Sequence, residues 1–416
     1  MIDYPNKLNI IFDKLDKYSI KPIIVGGYIR DKLLNLDSKD IDIELYGIDS
    51  LQELETILEE FGEVNSVGKS FGVCKLQFEE LDIDFSLPRT DNKVSEGHRG
   101  FKITTDSSLD FKTASSRRDF RVNSMGYDVK EKKLLDPFSG RVDIQNHILQ
   151  AVDILKFDED PLRVLRAVQF TSRFNFVLSR ELFLKCKDMI HNGVLDELPK
   201  ERIFVEIQKL LLKSPKPSQG LSLLKELGGF TYFQELAILS ETKFSRLLER
   251  VDFLAKQKIE NQNRKLALFL TLISSDMSEE KSLTFLGSLT DKKELLSEVI
   301  SMHKKQTLIL KNIKDYDLYR LAMFVNIESF MYFYEALHLG KEIQTINRLR
   351  DRAKELNIFH HKAEALLQGR DLIALGLKPS TEFSKLLNEA YEAQMHSLFT
   401  SHKEALLWLK KRVNLS

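Results

Sequence analysis

The chain has 416 residues, 62 Lys and Arg against 62 Asp and Glu, a formal net charge of zero and 43 % hydrophobic residues. That is the balance of a globular protein with room for about two to four domains; nothing in it reads as low-complexity or disordered. A neutral total neither supports nor excludes a nucleic-acid partner, since it can hide a basic groove. No apolar run approaches the ~18 residues of a membrane span. Met1-Ile2-Asp3-Tyr4-Pro5 lacks the basic-then-apolar pattern of a secretory signal, so the cytoplasm is the expected compartment, with no membrane partner. Cys74 and Cys186 lie far apart and are expected to be reduced, buried thiols.

The first ~130 residues read as alternating helix and strand. A helix precedes a strand at Pro22–Val25, and a short helix follows Gly26-Gly27. The strand Ile41–Tyr46 comes next, then an amphipathic helix near Leu51–Phe61. Val73–Phe78 and Leu81–Leu87 alternate apolar and polar residues around a Glu79-Glu80 turn, and Pro88 ends the second of them. Arg89 to about Ser108, with Gly97-His98-Arg99-Gly100, is polar and is expected to be a mobile loop. From about residue 153 Leu, Lys, Glu and Phe recur at helical spacing to the end, without a fixed-period repeat. Pro215-Lys216-Pro217-Ser218 marks a helix start and a subdomain boundary.

Three constellations carry chemistry. In the first, Asp40 and Asp42 alternate with Ile41 and Ile43, so both carboxylates share one strand face while the isoleucines enter the core. Such an oxygen-rich face suits Mg²⁺. Asp84, on a strand that could lie beside Ile41–Leu45, supplies a third carboxylate for two metals ~3.5–4 Å apart; Asp82 has the same parity and stays open as the partner. The alternative is a solvated Asp-x-Asp on an edge strand. Upstream, Gly26-Gly27 before a helix lets backbone approach a phosphate, with Arg30-Asp31 following. In the second, Arg117-Arg118-Asp119-Phe120-Arg121-Val122-Asn123 sets guanidinium groups for triphosphate and sugar binding, or forms a surface charge cluster. In the third, Glu159-Asp160-Pro161-Leu162-Arg163 puts Pro161 in a first helical turn and Asp160 near its N-cap, one face carrying both Asp160 and Arg163. Together they can read the Watson–Crick edge of a base, the acid accepting and the guanidinium donating. The plainer reading is a capping aspartate and an exposed ion pair.

Gly26-Gly27-x-x-Arg30-Asp31 with Asp40-x-Asp42, Arg117-Arg118-Asp119-Phe120-x-x-Asn123, Asp136-Pro137-Phe138-x-Gly140, Glu159-Asp160-Pro161-Leu162-Arg163-x-x-Arg166 and Lys200-Glu201-Arg202-Ile203 resemble, in order, the motifs of class II CCA-adding enzymes. These are tRNA nucleotidyltransferases related to bacterial poly(A) polymerases. Gly369-Arg370-Asp371-Leu372 through Gly376-x-Lys378-Pro379 resembles their C-terminal region. The resemblance implies an α+β chain: a nucleotidyltransferase head with a small mixed or antiparallel sheet (residues 1–150), then an all-α neck (151–214), body (215–350) and tRNA-binding tail (351–416). It implies Asp40 and Asp42 as metal ligands, Asp84 as third carboxylate, and Mg²⁺, two ions, as cofactor. Gly27, Arg30 and Arg118 would contact the phosphates or sugar of CTP or ATP beside Asp119 and Asn123. Asp160 and Arg163 would be the protein template for C or A, supported by Arg166. The segment after Arg89 would be a loop that helps switch from CTP to ATP.

Arg121 stands where the family usually has Thr, Ser124 replaces the usual Ala, and Gln169 replaces a further Arg of many relatives. No His-Asp dipeptide occurs, so the phosphohydrolase domain of some relatives is not expected. Full C, C and A addition to the tRNA 3′ end is the leading expectation. Partial CC- or A-addition, poly(A) polymerase and a silent RNA-binding scaffold are the alternatives. Asp160 followed by Arg163 does not separate the first from poly(A) polymerase.

Overall fold

A computed structural model describes residues 2–68, 73–93 and 101–413, which divide into two compact units, Met1–Phe233 and Gln234–Ser416. The first unit opens with α1 (Asn9–Lys17), β1 (Lys21–Val25), α2 (Gly27–Leu33), β2 (Ile41–Tyr46) and α3 (Leu51–Leu58). There follow β3 (Glu63–Gly68), β4 (Val73–Phe78), β5 (Leu81–Ser86), β6 (Arg89–Lys93), β7 (Phe101–Thr105), α4 (Phe111–Ser115), β8 (Gly126–Asp128) and β9 (Lys133–Leu135). Seven of these strands form one mixed sheet in the order β3-β4-β5-β2-β1-β8-β9, parallel at β2–β5 and antiparallel at its other pairings.

Alternation explains the sheet's two faces. Ile41, Ile43 and Leu45 of β2, Cys74 and Leu76 of β4, and Ile83 and Phe85 of β5 are buried on one side, where α1 and α3 pack. On the other side Ile23, Val25 and Tyr46 meet Ala114, Leu109 and Phe111, so α4 and its flanks cover part of that face. Asp42 and Asp84 share this face.

The segment expected as a loop after Arg89 holds β6 and β7, paired from Arg89↔Thr105 to Lys93↔Phe101 as a separate two-stranded ribbon. Gly97-His98-Arg99-Gly100 lies outside the described residues.

After α5 (Gly140–Gln145) and β10 (Ile148–Leu149), the first unit ends in α6 (Leu162–Phe174), β11 (Val177–Leu178), α7 (Arg180–His191), α8 (Lys200–Lys213) and α9 (Pro217–Glu226). α6 packs against α8 and α9. Gly220 permits the second contact: a Cβ there would lie 3.0 Å from Ser172 Oγ and 3.1 Å from the Val168 carbonyl oxygen of α6. Its amide donates to Ser172 Oγ (2.8 Å), which in turn donates to the Lys216 carbonyl (2.8 Å). The break between compact units therefore falls after Phe233, beyond the turn at Pro215–Ser218.

The second unit is helical from Gln234–Ala237 to His402–Arg412. Ser240, Asn261, Ser278, Asn326 and Ser401 cap helix starts by accepting first-turn amides. Its last residues have their own small core around Leu372, Ala390, Phe399 and Leu409. Both cysteines are buried, and burial pushes the Cys186 thiol up to about 12. Among the described residues no helix is long and apolar enough to cross a membrane.

Candidate functional site

Register fixes the acidic face. Parallel pairing sets Asp42 opposite Asp84, so Asp84 and not Asp82 is the neighbour of Asp42; Asp82 pairs with Gln77. Asp40 stands exposed just before β2. Lys75, opposite Asp84 on β4, holds that carboxylate at 2.9 Å. Asp42 still reaches solvent, yet the protein crowds it enough to push its pKa up: burial leads, Arg118 opposes, and Asp84 and Asp40 add repulsion.

The chain leaves β1 through Gly26 at φ +74° and ψ −129°, a conformation that needs glycine. The Gly26 amide donates to the Met125 carbonyl (3.1 Å). A Cβ there would come 2.6 Å from Arg118 Nη1 and 3.7 Å from Asp42 Oδ2, so Arg118 lies over this turn beside the aspartate. At Gly27 a Cβ would meet nothing closer than Arg30 Nη2 at 3.5 Å. Gly26→Ala is therefore expected to cost about 1–3 kcal/mol of stability and Gly27→Ala much less, measured by denaturant melts of the two variants.

Arg30, expected at the phosphates, is 5 % exposed and already engaged. Its Nε and Nη2 donate to Asp31 Oδ1 (2.8 and 2.6 Å) and its Nη1 to Asn123 Oδ1 (2.6 Å). Its guanidinium lies 4.3 Å from the Phe174 ring centre and 5.1 Å from that of Phe170. Asn123 Nδ2 donates to Asp119 Oδ1 (2.8 Å), and Arg166 Nε donates to Asp119 Oδ2 (2.6 Å), with Nη2 equally close. One buried network thus joins α2, the Arg121–Asn123 turn and α6. Burial alone would raise the Asp119 pKa. The Arg166 charge and hydrogen bonds from Asn123, Arg166 and the Phe120 amide outweigh it and hold the carboxyl below the usual range.

At the start of α6, Asp160 Oδ1 accepts the Leu162 amide (3.1 Å) and lies 3.5 Å from Arg202 Nη2. Asp160, the expected template residue, thus also bonds the first amide of α6. Arg163 donates from Nη1 to the Lys156 carbonyl (2.7 Å) and from Nη2 to the Arg117 carbonyl (3.2 Å), which orients its guanidinium. Gln169 is 2 % exposed, and its Oε1 accepts no hydrogen bond among the described residues. Asp136, from the motif before Gly140, accepts the amides of Gly140 and Arg141 (2.7 and 3.0 Å) and shapes a turn. The aromatic platform of Phe170 and Phe174 and the Arg202 contact were not singled out from sequence. Arg202 lies inside a quoted motif, and the two phenylalanines sit four residues apart on one helix face.

A strand–glycine–helix unit beside an acidic strand face, followed by a helix bearing Asp and Arg, defines a nucleotidyltransferase head with its adjoining helices. Residues 23–150 match the family model described as the poly A polymerase head domain, and residues 175–239 match that of a probable RNA and SrmB-binding site of polymerase A. A multifunctional CCA protein of Neisseria gonorrhoeae is 34 % identical over 49 % of this chain and 47 % of its own length. The chain thus spans about half the length of such relatives. A CCA-adding enzyme of Lactococcus lactis is 27 % identical over 97 % of this chain and 95 % of its own. The fold is that of the Bacillus stearothermophilus CCA-adding enzyme solved in complex with CTP, at a TM-score of 0.75 and 22 % identity, covering 99 % and 98 % of the two chains. Along nearly its whole length the chain is thus similar to CCA-adding enzymes, and its residues 23–150 match the poly A polymerase head domain.

This nucleotidyltransferase family generally uses divalent metals. Among the described residues no three His, Cys, Asp or Glu side chains are gathered tightly enough to hold an ion as they stand. The donor chemistry nevertheless fits: Asp42 and Asp84 are opposed hard oxygen ligands, and a cation would offset the burial and the like charge that raise the Asp42 pKa.

Proposed function

We propose that this chain is a cytoplasmic tRNA nucleotidyltransferase that adds C, C and A to the tRNA 3′ end from CTP and ATP without a nucleic-acid template. The observation that carries the reading is the register pairing of Asp42 with Asp84 beside Arg118, close to a helix whose Arg163 is oriented by the Arg117 carbonyl. The names of the Neisseria and Lactococcus relatives and the CTP complex of the Bacillus enzyme support the choice of substrates.

Asp40, Asp42 and Asp84 would hold two Mg²⁺ ions, which when bound activate the attacking hydroxyl and stabilise the charge on the triphosphate. The 3′-hydroxyl of the RNA attacks the α-phosphate in line and pyrophosphate leaves. Arg118 is then free to turn from Asp42 to the triphosphate, a group that a guanidinium binds in bidentate fashion. The Gly26-Gly27 turn leaves room for the phosphates to approach the backbone. Asp160 would accept from a base amino group while Arg163 donates to the ring nitrogen beside it and, in cytosine, to the carbonyl as well. Arg166, Asp119, Asn123 and Arg30 act behind these groups and keep the template helix aligned with the turn after Arg118. We assign residues 1–150 to the catalytic head, 151–214 to the neck, 215–350 to the body and 351–416 to a tail that binds tRNA by phosphates and shape.

The test presents tRNA ending at the discriminator base, in C or in CC, with labelled CTP or ATP. Growth of all three to CCA and no further is expected. A long A tail would favour poly(A) polymerase, and arrest after CC or addition of A alone would favour a partial enzyme.

A further inference from the structure

Glu44 is a third carboxylate on the metal strand, on the same face as Asp42, and no part of the proposed chemistry uses it. Its side chain is completely buried, and among the described residues neither carboxylate oxygen accepts a hydrogen bond. It cannot reach a substrate. Its ion pair is with Arg117, whose Nη2 lies 3.8 Å from Glu44 Oε1. Arg117 is the residue whose carbonyl accepts from Arg163 Nη2 (3.2 Å). Tyr46, two residues further along the same face, has a buried hydroxyl; burial first and the Glu44 charge second push its pKa up.

Stability alone does not account for such a group. Burying an ionised carboxylate without hydrogen bonds is expensive, and an ion pair in that setting is often worth no more than apolar residues of the same volume. What the pair does supply is position. The side chain of Arg117 is anchored to the acidic strand through Glu44, and its backbone bonds the guanidinium assigned to base reading.

We infer that Glu44 is a positioning residue for nucleotide selection: by anchoring Arg117 it sets the Arg117 carbonyl that orients Arg163, and so ties the metal strand to the template. The inference rests on the template reading of Asp160 and Arg163 given above. C and U differ at the edge those residues would contact, C offering an amino donor where U offers a carbonyl. Loss of the anchor therefore blurs C against U before it slows transfer of C.

The experiment measures kcat/KM for CTP and for UTP on tRNA ending at the discriminator base, with thermal melts, for wild type, Glu44→Gln, Arg117→Gln and the double variant. A displaced guanidinium should lower the CTP/UTP preference of Glu44→Gln on the order of tenfold, with kcat for CTP changed far less. The double variant should lose no more preference than Arg117→Gln alone. Unchanged preference in a folded Glu44→Gln protein overturns the inference and leaves the template reading standing. Additive losses in the double variant overturn the route through Arg117. Should Glu44→Gln fail to fold, Glu44→Asp carries the test: the shorter side chain draws the carboxylate back from Arg117, so a lowered CTP/UTP preference supports the anchor and an unchanged one overturns it. A wild-type enzyme with no preference for C over U removes the template reading and this inference with it.

Discussion

Asp42→Asn should abolish nucleotide incorporation while the protein stays folded and retains tRNA. Asparagine keeps the shape of the side chain and removes its charge from a face where Asp84 stands directly opposite and Asp40 close by. Loss of a metal-holding carboxylate forfeits several kcal/mol of transition-state stabilisation, about a thousandfold or more in rate. The fold should not suffer. Burial and like charge raise the Asp42 pKa, so the native state binds this proton more tightly than the unfolded chain does. Ionised Asp42 therefore destabilises the native state at neutral pH, and that penalty fades as acid protonates it. At pH 7 the variant should melt no lower than wild type, with the gap closing on acidification. Wild-type activity should fall in acid, because a protonated carboxyl no longer holds a cation. Calorimetry, filter binding of tRNA and CTP incorporation check the three parts. Near-normal incorporation would remove Asp42 from the chemistry.

The acidic face was legible because period-2 alternation leaves little choice: once Ile41 and Ile43 enter the core, Asp40 and Asp42 share the other side. Parity could not choose between Asp82 and Asp84, since that choice is a register shift between two strands far apart in the chain. Pairing of Ile41 with Ile83 decides it. The ribbon β6–β7 was missed because Arg89-Thr90-Asp91-Asn92-Lys93 has no apolar alternation and pairs only with its own partner strand. The strands β8 and β9 span three residues each, too few for a period to show.

The role of Arg30 was hidden for another reason. Its neighbour Asp31 is visible in the sequence, but the phenylalanines over its guanidinium and the Asn123 oxygen it donates to arrive from distant segments. A motif arginine near a glycine turn reads from sequence as a phosphate ligand, and these partners give it a place in the buried network as well. Glu44 was hidden by the same limit: its parity with Asp42 was readable, whereas its burial under Arg117 depends on how the residues after α4 cross the sheet.

The second large effect is expected at Asp119. Asp119→Asn is nearly isosteric, yet each carboxylate oxygen serves donors: Oδ1 accepts from the Phe120 amide and Asn123 Nδ2, and Oδ2 accepts from Arg166. An amide NH₂ at either position faces a donor, and the Arg166 cation loses its counter-charge. Breaking a buried pair costs several kcal/mol; Arg166 keeps a solvent-facing edge, which points to the low end, roughly 3 kcal/mol. In a unit of this size that lowers the melting temperature by about 6–12 °C. The Asp119 pKa is depressed in the folded chain, so its contribution is fully present above the unfolded value near ~3.9 and is lost as pH falls through the folded one. Wild type should therefore lose stability steeply at acid pH, and the Asn variant should show a shallower acid limb. Above its lowered melting point the variant is unfolded. Well below it, the released Arg166 and Asn123 should raise KM for both CTP and ATP, because the network behind the template helix serves either base. A variant within about 1 kcal/mol of wild type would mean that Arg166 finds another acceptor. An Asp119→Asn, Arg166→Met pair tests that alternative directly: it should recover part of the lost stability if the unpaired cation is the cause, and none if it is not.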